Sequence, residues 1–196
     1  MMNVIYILFS YLMGAISFGI VMSRLFSLPD PRTIGSKNPG ATNVLRTGKK
    51  LAALLTLLGD ALKGSLTVGL AQYFELSPLM VALVAIATLL GHIFPVYYGF
   101  KGGKGVATAA GILFMFSWMM GCTVLAIWFA VFIIWRYSSL AAIIAASLSP
   151  VMGFFYAIDF YQLIASSIIA LILILRHIDN IKRLINGTES SFREKK

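Results

Sequence analysis

The sequence predicts an all-α integral membrane protein with about seven transmembrane helical segments, an external N-terminus and a cytoplasmic C-terminus. Hydrophobic residues make up 59% of its 196 residues and charged residues only 12%, which is more apolar than an ordinary soluble domain. Several apolar runs are long enough to cross a bilayer, and the basic residues lie between alternate runs. The runs follow one another closely, so we expect one domain over residues 1–196.

The apolar runs define the predicted spans, because a helix needs roughly 20 apolar residues to cross the hydrocarbon core. The first run has no basic region before it and no small-residue cleavage site, so we expect a retained span and not a signal peptide. A shorter run at 105–117 completes the count of seven, and the sequence leaves open whether it crosses fully. The six longer runs are 3–27, 51–74, 78–98, 118–135, 139–157 and 160–176.

The distribution of charge sets the predicted orientation. With seven segments and the N-terminus outside, the outer loops contain Glu75 and Asp159 but no lysine or arginine. Every basic residue except Lys63 then lies at the inner side, as the positive-inside tendency requires. Treating 105–135 as one long span would place the basic tail outside. In a chain this apolar, the excess of 16 basic over 7 acidic residues indicates topology and not a nucleic-acid partner.

Residues 34–50 form the first of four polar blocks, IGSKNPGATNVLRTGKK. A loop that faces water needs only to be polar, and a solvated basic loop is one interpretation. This loop, however, alternates glycines with hydroxyl, amide and guanidinium donors, and such loops can direct several N–H groups at one anion. The predicted donors are Ser36, Asn43 and Arg46.

The second block, GDALKG at 59–64, lies inside a predicted span. Asp60 and Lys63 are three residues apart and share a helix face. Charges within a span are costly and commonly functional. One interpretation is a buried ion pair that locks helix packing, with the glycines allowing close approach. The other is a pair that lines a polar cavity and helps to place a substrate, and both can hold together.

The third block is GHIFPVYYGFKGGKGVAT at 91–108. His92 lies near the end of a span and is a predicted substrate-binding residue, and Gly102, Gly103 and Gly105 surround Lys104 just before the next helix. Exposed N–H groups at a helix N-terminus bind anions, so we predict a phosphate cradle here; a plain cytoplasmic turn is the alternative. A nucleotide P-loop would require glycine at position 98 and serine or threonine at position 105, which this sequence lacks.

The fourth block is RHIDNIKRLINGTE at 176–189. At 100° per residue its isoleucines and leucine form one stripe, with His177 and Asn180 at its edge and Lys182 and Arg183 on the far face. For Lys182 and Arg183 the pattern indicates an interfacial helix whose basic residues face lipid headgroups. The edge position would direct His177 and Asn180 toward the protein at headgroup depth.

These four blocks, in order from residue 35 to 189, closely resemble the signature blocks of the PlsY family, the bacterial acyl-phosphate:glycerol-3-phosphate acyltransferases. Lys37 stands where many members have glycine. The resemblance implies an enzyme of the bacterial cytoplasmic (inner) membrane, with its active site facing the cytoplasm. It would transfer a fatty acyl group from acyl phosphate to the 1-hydroxyl of sn-glycerol 3-phosphate. Lysophosphatidate and phosphate would be the products of this first acylation of phospholipid synthesis.

The resemblance also implies roles for residues. Ser36 and Arg46 match functionally important positions of the first block, and the glycine-rich loop around Lys104 matches a phosphate-binding element. His177 and Asn180 match important positions of the last block and are the predicted catalytic residues. Glu189 matches a structural glutamate.

The chemistry leaves one choice open. No Ser-His-Asp triad is apparent, and direct transfer between two substrates requires none. Either neutral His177 accepts the hydroxyl proton or a substrate phosphate oxygen does so, and the substrate-assisted route is slightly favoured because the chain has only two histidines. No cofactor and no metal is implied, since the predicted inner face has no clustered carboxylates, and the single Cys122 provides no metal cluster.

Two other function classes fit part of the pattern. A transporter or channel for organic phosphates would also have seven apolar segments and a basic inner face. Its outer loops would need a matching anion site, which these short loops lack, and many transporters contain internal repeats, which this sequence does not show. A membrane scaffold would leave the glycine-rich blocks unexplained.

Membrane lipid is the expected surrounding partner of the protein. The sequence does not predict the oligomeric state, and it is compatible with a monomer.

Overall fold

The computed structural model describes residues 2–192, and within that range its regular secondary structure is entirely helical, without a strand. The predicted all-α class is therefore confirmed. Arg193, Lys195 and Lys196, predicted at the inner side, lie outside the described residues. The helices are α1 (Met2–Gly14), α2 (Phe18–Leu25), α3 (Ala41–Leu45), α4 (Lys50–Tyr73), α5 (Pro78–Ile93), α6 (Val106–Phe116), α7 (Trp118–Trp135), α8 (Ser138–Phe155), α9 (Phe160–Arg176) and α10 (Ile178–Ile185), with a 3₁₀ turn at Val96–Tyr98.

The helices of residues 2–192 agree closely with the predicted spans, although their number does not reach seven. Four helices, α4, α5 extended through the 3₁₀ turn to Tyr98, α7 and α8, are long and apolar enough to cross a membrane. The pairs α1–α2 and α9–α10 each pass the same test jointly, which gives up to six spans. Helix α6 is apolar but has only 11 residues, about half the length that a crossing requires. The seventh crossing and the orientation of the termini stay predictions.

The first span, predicted as continuous over residues 3–27, is broken between α1 and α2, which meet at 43°. Helix α1 ends at Gly14, where a Cβ atom would lie 2.1 Å from the Thr88 carbonyl oxygen of α5. In the break, the carbonyl oxygen of Ile16 accepts a hydrogen bond from the Lys63 ammonium at 2.6 Å. A side chain from another helix thus satisfies a carbonyl that the interruption freed, which is how broken helices are tolerated in membranes.

Helix α5 forms much of the interior, with Val84, Ala85 and Leu89 fully buried. Glycines bring neighbouring helices to backbone contact: a Cβ at Gly91 would lie 2.1 Å from the Tyr11 carbonyl oxygen of α1. Large apolar side chains cover the outside, where Trp118 of α7, for example, is 67% exposed. Small residues inside and large apolar residues outside are the arrangement expected of helices packed in lipid.

Contacts join the loops that carry the first, third and fourth polar blocks. Arg32, shortly before the first block, donates to the Tyr98 carbonyl oxygen at 3.3 Å, and Thr42 lies 3.3 Å from Ser138 at the start of α8. The third and fourth blocks are joined by a hydrogen bond from Lys104 to Asn180. Contacts between distant parts of the chain therefore connect these loops to one another and to the start of α8.

Candidate active site

A chain of hydrogen bonds connects the glycine-rich loop to α10. The Lys104 ammonium donates to the Oδ1 atom of Asn180. The Asn180 Nδ2 atom in turn donates to the Glu189 Oε1 atom at 2.6 Å. Asn180 is buried, so both ends of its amide are committed and its orientation is determined by its partners. The structure thus brings together three of the predicted site residues.

Glu189 anchors this chain. Its Oε1 atom also accepts from the Ser139 hydroxyl at 2.6 Å, and its Oε2 atom accepts from Arg183 Nε at 2.7 Å. Burial opposes ionisation of the carboxyl, but the hydrogen bonds from Ser139, Asn180 and Arg183 outweigh it and hold the pKa of Glu189 below its ordinary value. Glu189 is therefore a carboxylate that ties α8 to α10.

Arg183 makes a contact that the sequence did not predict. Its guanidinium binds Glu189, and its side chain is 43% exposed. Lys182, by contrast, is exposed as expected. The pairing arises because the chain turns back after α10, so that Glu189 comes to lie beside the helix, and helical periodicity does not show such a return.

His177 lies in the bend between α9 and α10 and is buried. Its Nδ1 atom is 2.8 Å from the Leu173 carbonyl oxygen. A carbonyl oxygen can only accept a hydrogen bond, so Nδ1 must carry the proton and donate it. Burial lowers the pKa of His177 to about 4, and the nearby Lys104 charge acts in the same direction. The imidazole is therefore neutral near pH 7, with the lone pair on Nε2.

Lys104 supplies a partly buried positive charge to the site. Burial lowers the pKa of its ammonium to about 8, against the opposing attraction of Glu189, and Arg183 and Arg176 lower it further. The ammonium still predominates at neutral pH, but it is a poorly solvated cation among other basic groups. A doubly charged anion would relieve that repulsion.

The glycine-rich loop shows why its glycines are needed. A Cβ at Gly102 would lie 2.1 Å from the His92 carbonyl oxygen, and one at Gly103 would lie 2.1 Å from His92 Nε2. Gly105, which precedes α6, has φ of +89°, a left-handed conformation that favours glycine. The sequence predicted these glycines for close approach to an oxyanion; the structure adds close approach to His92. Whether they also cradle phosphate stays a prediction.

The loop of residues 34–46 is organised by Asn43. Its Oδ1 atom accepts from the Ser36 backbone N–H at 3.0 Å, and its Nδ2 atom donates to the carbonyl oxygens of Pro31 and Ile34 at 2.8 and 3.1 Å. The amide is thus used within the loop, where the sequence predicted a donor to an anion. Ser36 and Arg46 are exposed and are the donors that remain available.

Asp60, Lys63 and His92 form a buried cluster, and Lys63 also borders a mostly apolar cleft beside Phe18 and Leu66. Lys63 Nζ is 2.8 Å from Asp60 Oδ1 and 2.9 Å from His92 Nδ1. The three residues are between 2% and 5% exposed. Of the two interpretations drawn from the sequence, the structure shows the buried ion pair.

The sequence reasoning missed two contributors. Ser139 donates to Glu189, and Arg176 lies 3.5 Å from the Gly103 carbonyl oxygen. The pair of serines at 138–139 begins an otherwise apolar helix, and this was the one signal available. Its significance depends on Glu189, which is fifty residues away.

The comparisons with known proteins agree on one family. A family model described as "Glycerol-3-phosphate acyltransferase" matches residues 4–187. Proteins of that name from Methylobacillus flagellatus and Nitrosospira multiformis are 53% identical over 195 residues and 55% identical over 188 residues. The first alignment covers 100% of both chains, and the second covers 94% of this chain and 93% of the relative.

Two solved structures share the fold. Crystal structures of PlsY (YgiH), an integral membrane glycerol 3-phosphate acyltransferase, match with TM-scores of 0.94 for the glycerol 3-phosphate form and 0.92 for the lysophosphatidic acid form. Sequence identity is 36% and 35%, and each match covers 98% of this chain and 96% of the other. On this identity and coverage, the chain belongs to the PlsY family of integral membrane glycerol-3-phosphate acyltransferases.

Proposed function

We propose that the protein transfers a fatty acyl group from acyl phosphate to the 1-hydroxyl of sn-glycerol 3-phosphate, giving lysophosphatidate and inorganic phosphate. The observation that carries this proposal is the partly buried Lys104 ammonium, held by Asn180 in the same site as a neutral histidine. Such a site binds phosphate through a charge and leaves a nitrogen lone pair for a hydroxyl. The PlsY forms with glycerol 3-phosphate and lysophosphatidic acid match the proposed acceptor and product.

The proposed donor is an acyl phosphate, which is the donor that the resemblance to the PlsY family implies, and the contacts of the site fit direct transfer. Within residues 2–192, neither histidine forms a hydrogen bond to a serine or cysteine that would act as a nucleophile. The acceptor hydroxyl oxygen therefore attacks the acyl carbonyl carbon, the carbon–oxygen bond to phosphate breaks, and inorganic phosphate leaves. Phosphate is a good leaving group, so the protein's task is to hold two anions with the hydroxyl aimed at the carbonyl, which can lower the barrier by roughly 7–11 kcal/mol.

The residues then have distinct roles. Lys104, Ser36, Arg46 and the glycine-rich loop bind the two phosphates, and His177 Nε2 accepts a hydrogen bond from glycerol 3-phosphate. Asn180, Asn43 and Glu189 orient these groups through the contacts described above. The site faces the cytoplasm of a bacterial inner membrane, because the basic loops would lie on the cytoplasmic side. The N-terminus is then outside.

The hydroxyl proton passes to a phosphate oxygen in this proposal. The second pKa of a phosphate monoester is near 6, whereas the pKa of His177 is about 4. His177 is therefore a weak proton acceptor. This difference favours the substrate-assisted route, with His177 as a binding residue.

The direct test is to incubate the purified protein, reconstituted in lipid vesicles, with labelled glycerol 3-phosphate and a long-chain acyl phosphate. We expect labelled lysophosphatidate and release of one phosphate per product. Acyl-CoA in place of acyl phosphate is the matched control and should give no product above background. Uptake of glycerol 3-phosphate into the vesicles without acylation would contradict the proposal and support a transporter.

His177→Ala is expected to raise the KM for glycerol 3-phosphate by about 2- to 10-fold, because a hydrogen bond between a neutral hydroxyl and a neutral imidazole contributes about 0.5–1.5 kcal/mol. kcat should stay within about threefold of wild type, since the proton goes to phosphate. Initial rates over a range of glycerol 3-phosphate concentrations separate the two constants. A fall in kcat of about 10²-fold or more at unchanged KM would instead identify His177 as the general base.

The pH dependence follows from Lys104. Because its pKa is about 8, the ammonium is present below that pH and is lost as the pH rises through it. We expect kcat/KM for glycerol 3-phosphate, which reports ionisations of the free enzyme, to fall by about tenfold per pH unit above pH 8. Lys104→Arg keeps its charge to above about pH 12 and should abolish this alkaline limb. A wild-type profile that is flat to pH 10 would disprove the assignment.

A further inference from the structure

The buried cluster of Asp60, Lys63 and His92 is not explained by substrate binding. Its side chains are 3%, 1% and 5% exposed, so no substrate phosphate reaches the ion pair directly. An ion pair in a protein interior contributes little to stability on balance, and apolar residues of similar volume often replace it at no cost. The cluster therefore calls for another explanation, and its contacts lead in two directions.

The first direction runs from α4 to α2. Lys63 donates to the Ile16 carbonyl oxygen at 2.6 Å, in the break between α1 and α2. On the same helix, Gly59 accommodates the ring of Phe18, since a Cβ at Gly59 would lie 2.2 Å from that ring. The GDALKG block thus holds the start of α2 at two points, one polar and one apolar.

Helix α2 in turn supports the first polar block. Gly19 lies directly against the backbone of Pro39, because a Cβ at Gly19 would be 1.8 Å from the Pro39 carbonyl oxygen. Pro39 lies between Ser36 and Arg46, the proposed donors of that loop. A displacement of α2 would therefore displace the loop that carries both donors.

The second direction runs from α4 to the glycine-rich loop. Lys63 is bonded to His92 Nδ1 at 2.9 Å, and the Thr108 hydroxyl lies 3.3 Å from the same atom. The opposite side of the ring, at Nε2, occupies the place that a side chain at Gly103 would take. Gly64 packs against the Thr108 carbonyl oxygen, where a Cβ would be 2.3 Å away. The orientation of His92 thus determines where the loop before α6 lies.

We propose that Asp60, Lys63 and His92 are positioning residues that hold the two anion-binding loops at a set separation. Lys63 is the branch point: one of its hydrogen bonds secures α2 and the loop of residues 34–46, and another orients His92 beneath the glycine-rich loop. Asp60 neutralises the ammonium within the membrane. The inference rests on the proposed function, because it assigns the cluster to the distance between acyl phosphate and glycerol 3-phosphate and not to the affinity for either.

The test compares wild type with the double variant Asp60→Leu/Lys63→Met and with His92→Gln. The double variant replaces the ion pair by apolar residues of similar volume, so that it should fold. Rates are measured with palmitoyl phosphate and glycerol 3-phosphate. They are divided by the number of glycerol 3-phosphate sites found by calorimetric titration, so that loss of folded protein does not count as loss of catalysis. Thr56→Val is the matched control, since its buried hydroxyl donates to the Ala52 carbonyl oxygen of the same helix, α4.

We expect kcat per site to fall by about 10²-fold in both test variants, because misplacing reactants by about 1 Å has that effect. Both KM values should stay within about threefold of wild type, and Thr56→Val should behave as wild type. A kcat within about threefold of wild type in either variant would overturn the inference. So would a KM for glycerol 3-phosphate raised more than about tenfold at unchanged kcat, which would indicate direct binding.

Two remaining outcomes are also decisive. If the double variant has no glycerol 3-phosphate sites, His92→Gln decides by the same criteria, and if neither variant has sites, the cluster serves the fold and the inference is wrong. Wild-type protein that makes no lysophosphatidate from acyl phosphate would overturn the proposed function itself. Active wild type with unimpaired variants would overturn the positioning role alone.

Discussion

Lys104→Met is expected to lower kcat/KM for glycerol 3-phosphate by about 10²- to 10³-fold, the loss typical of removing one well-placed donor to a developing anion. Methionine keeps the length and most of the volume of the side chain but removes the charge. The ammonium of Lys104 is partly buried and is directed by Asn180, so its attraction for phosphate is weakened less than it would be at the surface. The measurement is the initial rate of lysophosphatidate formation over a range of both substrates.

Lys101→Met is the matched control for this prediction. Lys101 belongs to the same loop but is exposed, and an exposed charge is screened by water and salt. We expect kcat/KM to stay within about threefold of wild type. Equal losses in the two variants would show that the loop attracts its substrate by general charge alone, and unchanged activity in Lys104→Met would remove Lys104 from the site.

Asn180→Leu is expected to lower kcat/KM by a similar factor, about 10²- to 10³-fold. Asn180 accepts from Lys104 and donates to Glu189 at the same time, and an amide is needed because one end must accept and the other must donate. Leucine has a similar size and does neither. Lys104 then loses its orientation, and Glu189 loses one of its hydrogen-bond donors.

A thermal unfolding measurement separates this effect from loss of structure. Leaving a buried partner unsatisfied costs about 1–3 kcal/mol, so Asn180→Leu should lower the Tm but leave a folded protein with most of its helical signal. Asn186→Leu, at the exposed end of α10, is the control and should change neither activity nor Tm appreciably. Full activity in a folded Asn180→Leu protein would contradict the proposed role of the hydrogen-bonded chain.

Much of the fold was predictable from local patterns. Helices α7 and α9 begin and end at the residues expected from the apolar runs, because hydropathy and turn residues suffice to delimit a membrane helix. The break after Gly14 was not predicted, since hydropathy is continuous across it. It depends on Thr88 and Lys63, which belong to other helices.

The candidate site shows the same division between local and distant information. Residue type and spacing drew attention to His177, Asn180 and Lys104, and the structure places them together. Asn43 was assigned to the substrate because its local sequence shows only a polar loop. Its actual acceptors, the carbonyl oxygens of Pro31 and Ile34, are visible only in the folded chain.

The sequence by itself determined that this is a helical membrane protein and which four blocks hold its polar chemistry, because these properties reside in composition and periodicity. Its tertiary structure alone decided how each polar group is used: Arg183 binds Glu189, and Gly103 makes room for His92. The physical reason is that buried polar groups must find partners. In this protein those partners come from helices far apart in the chain.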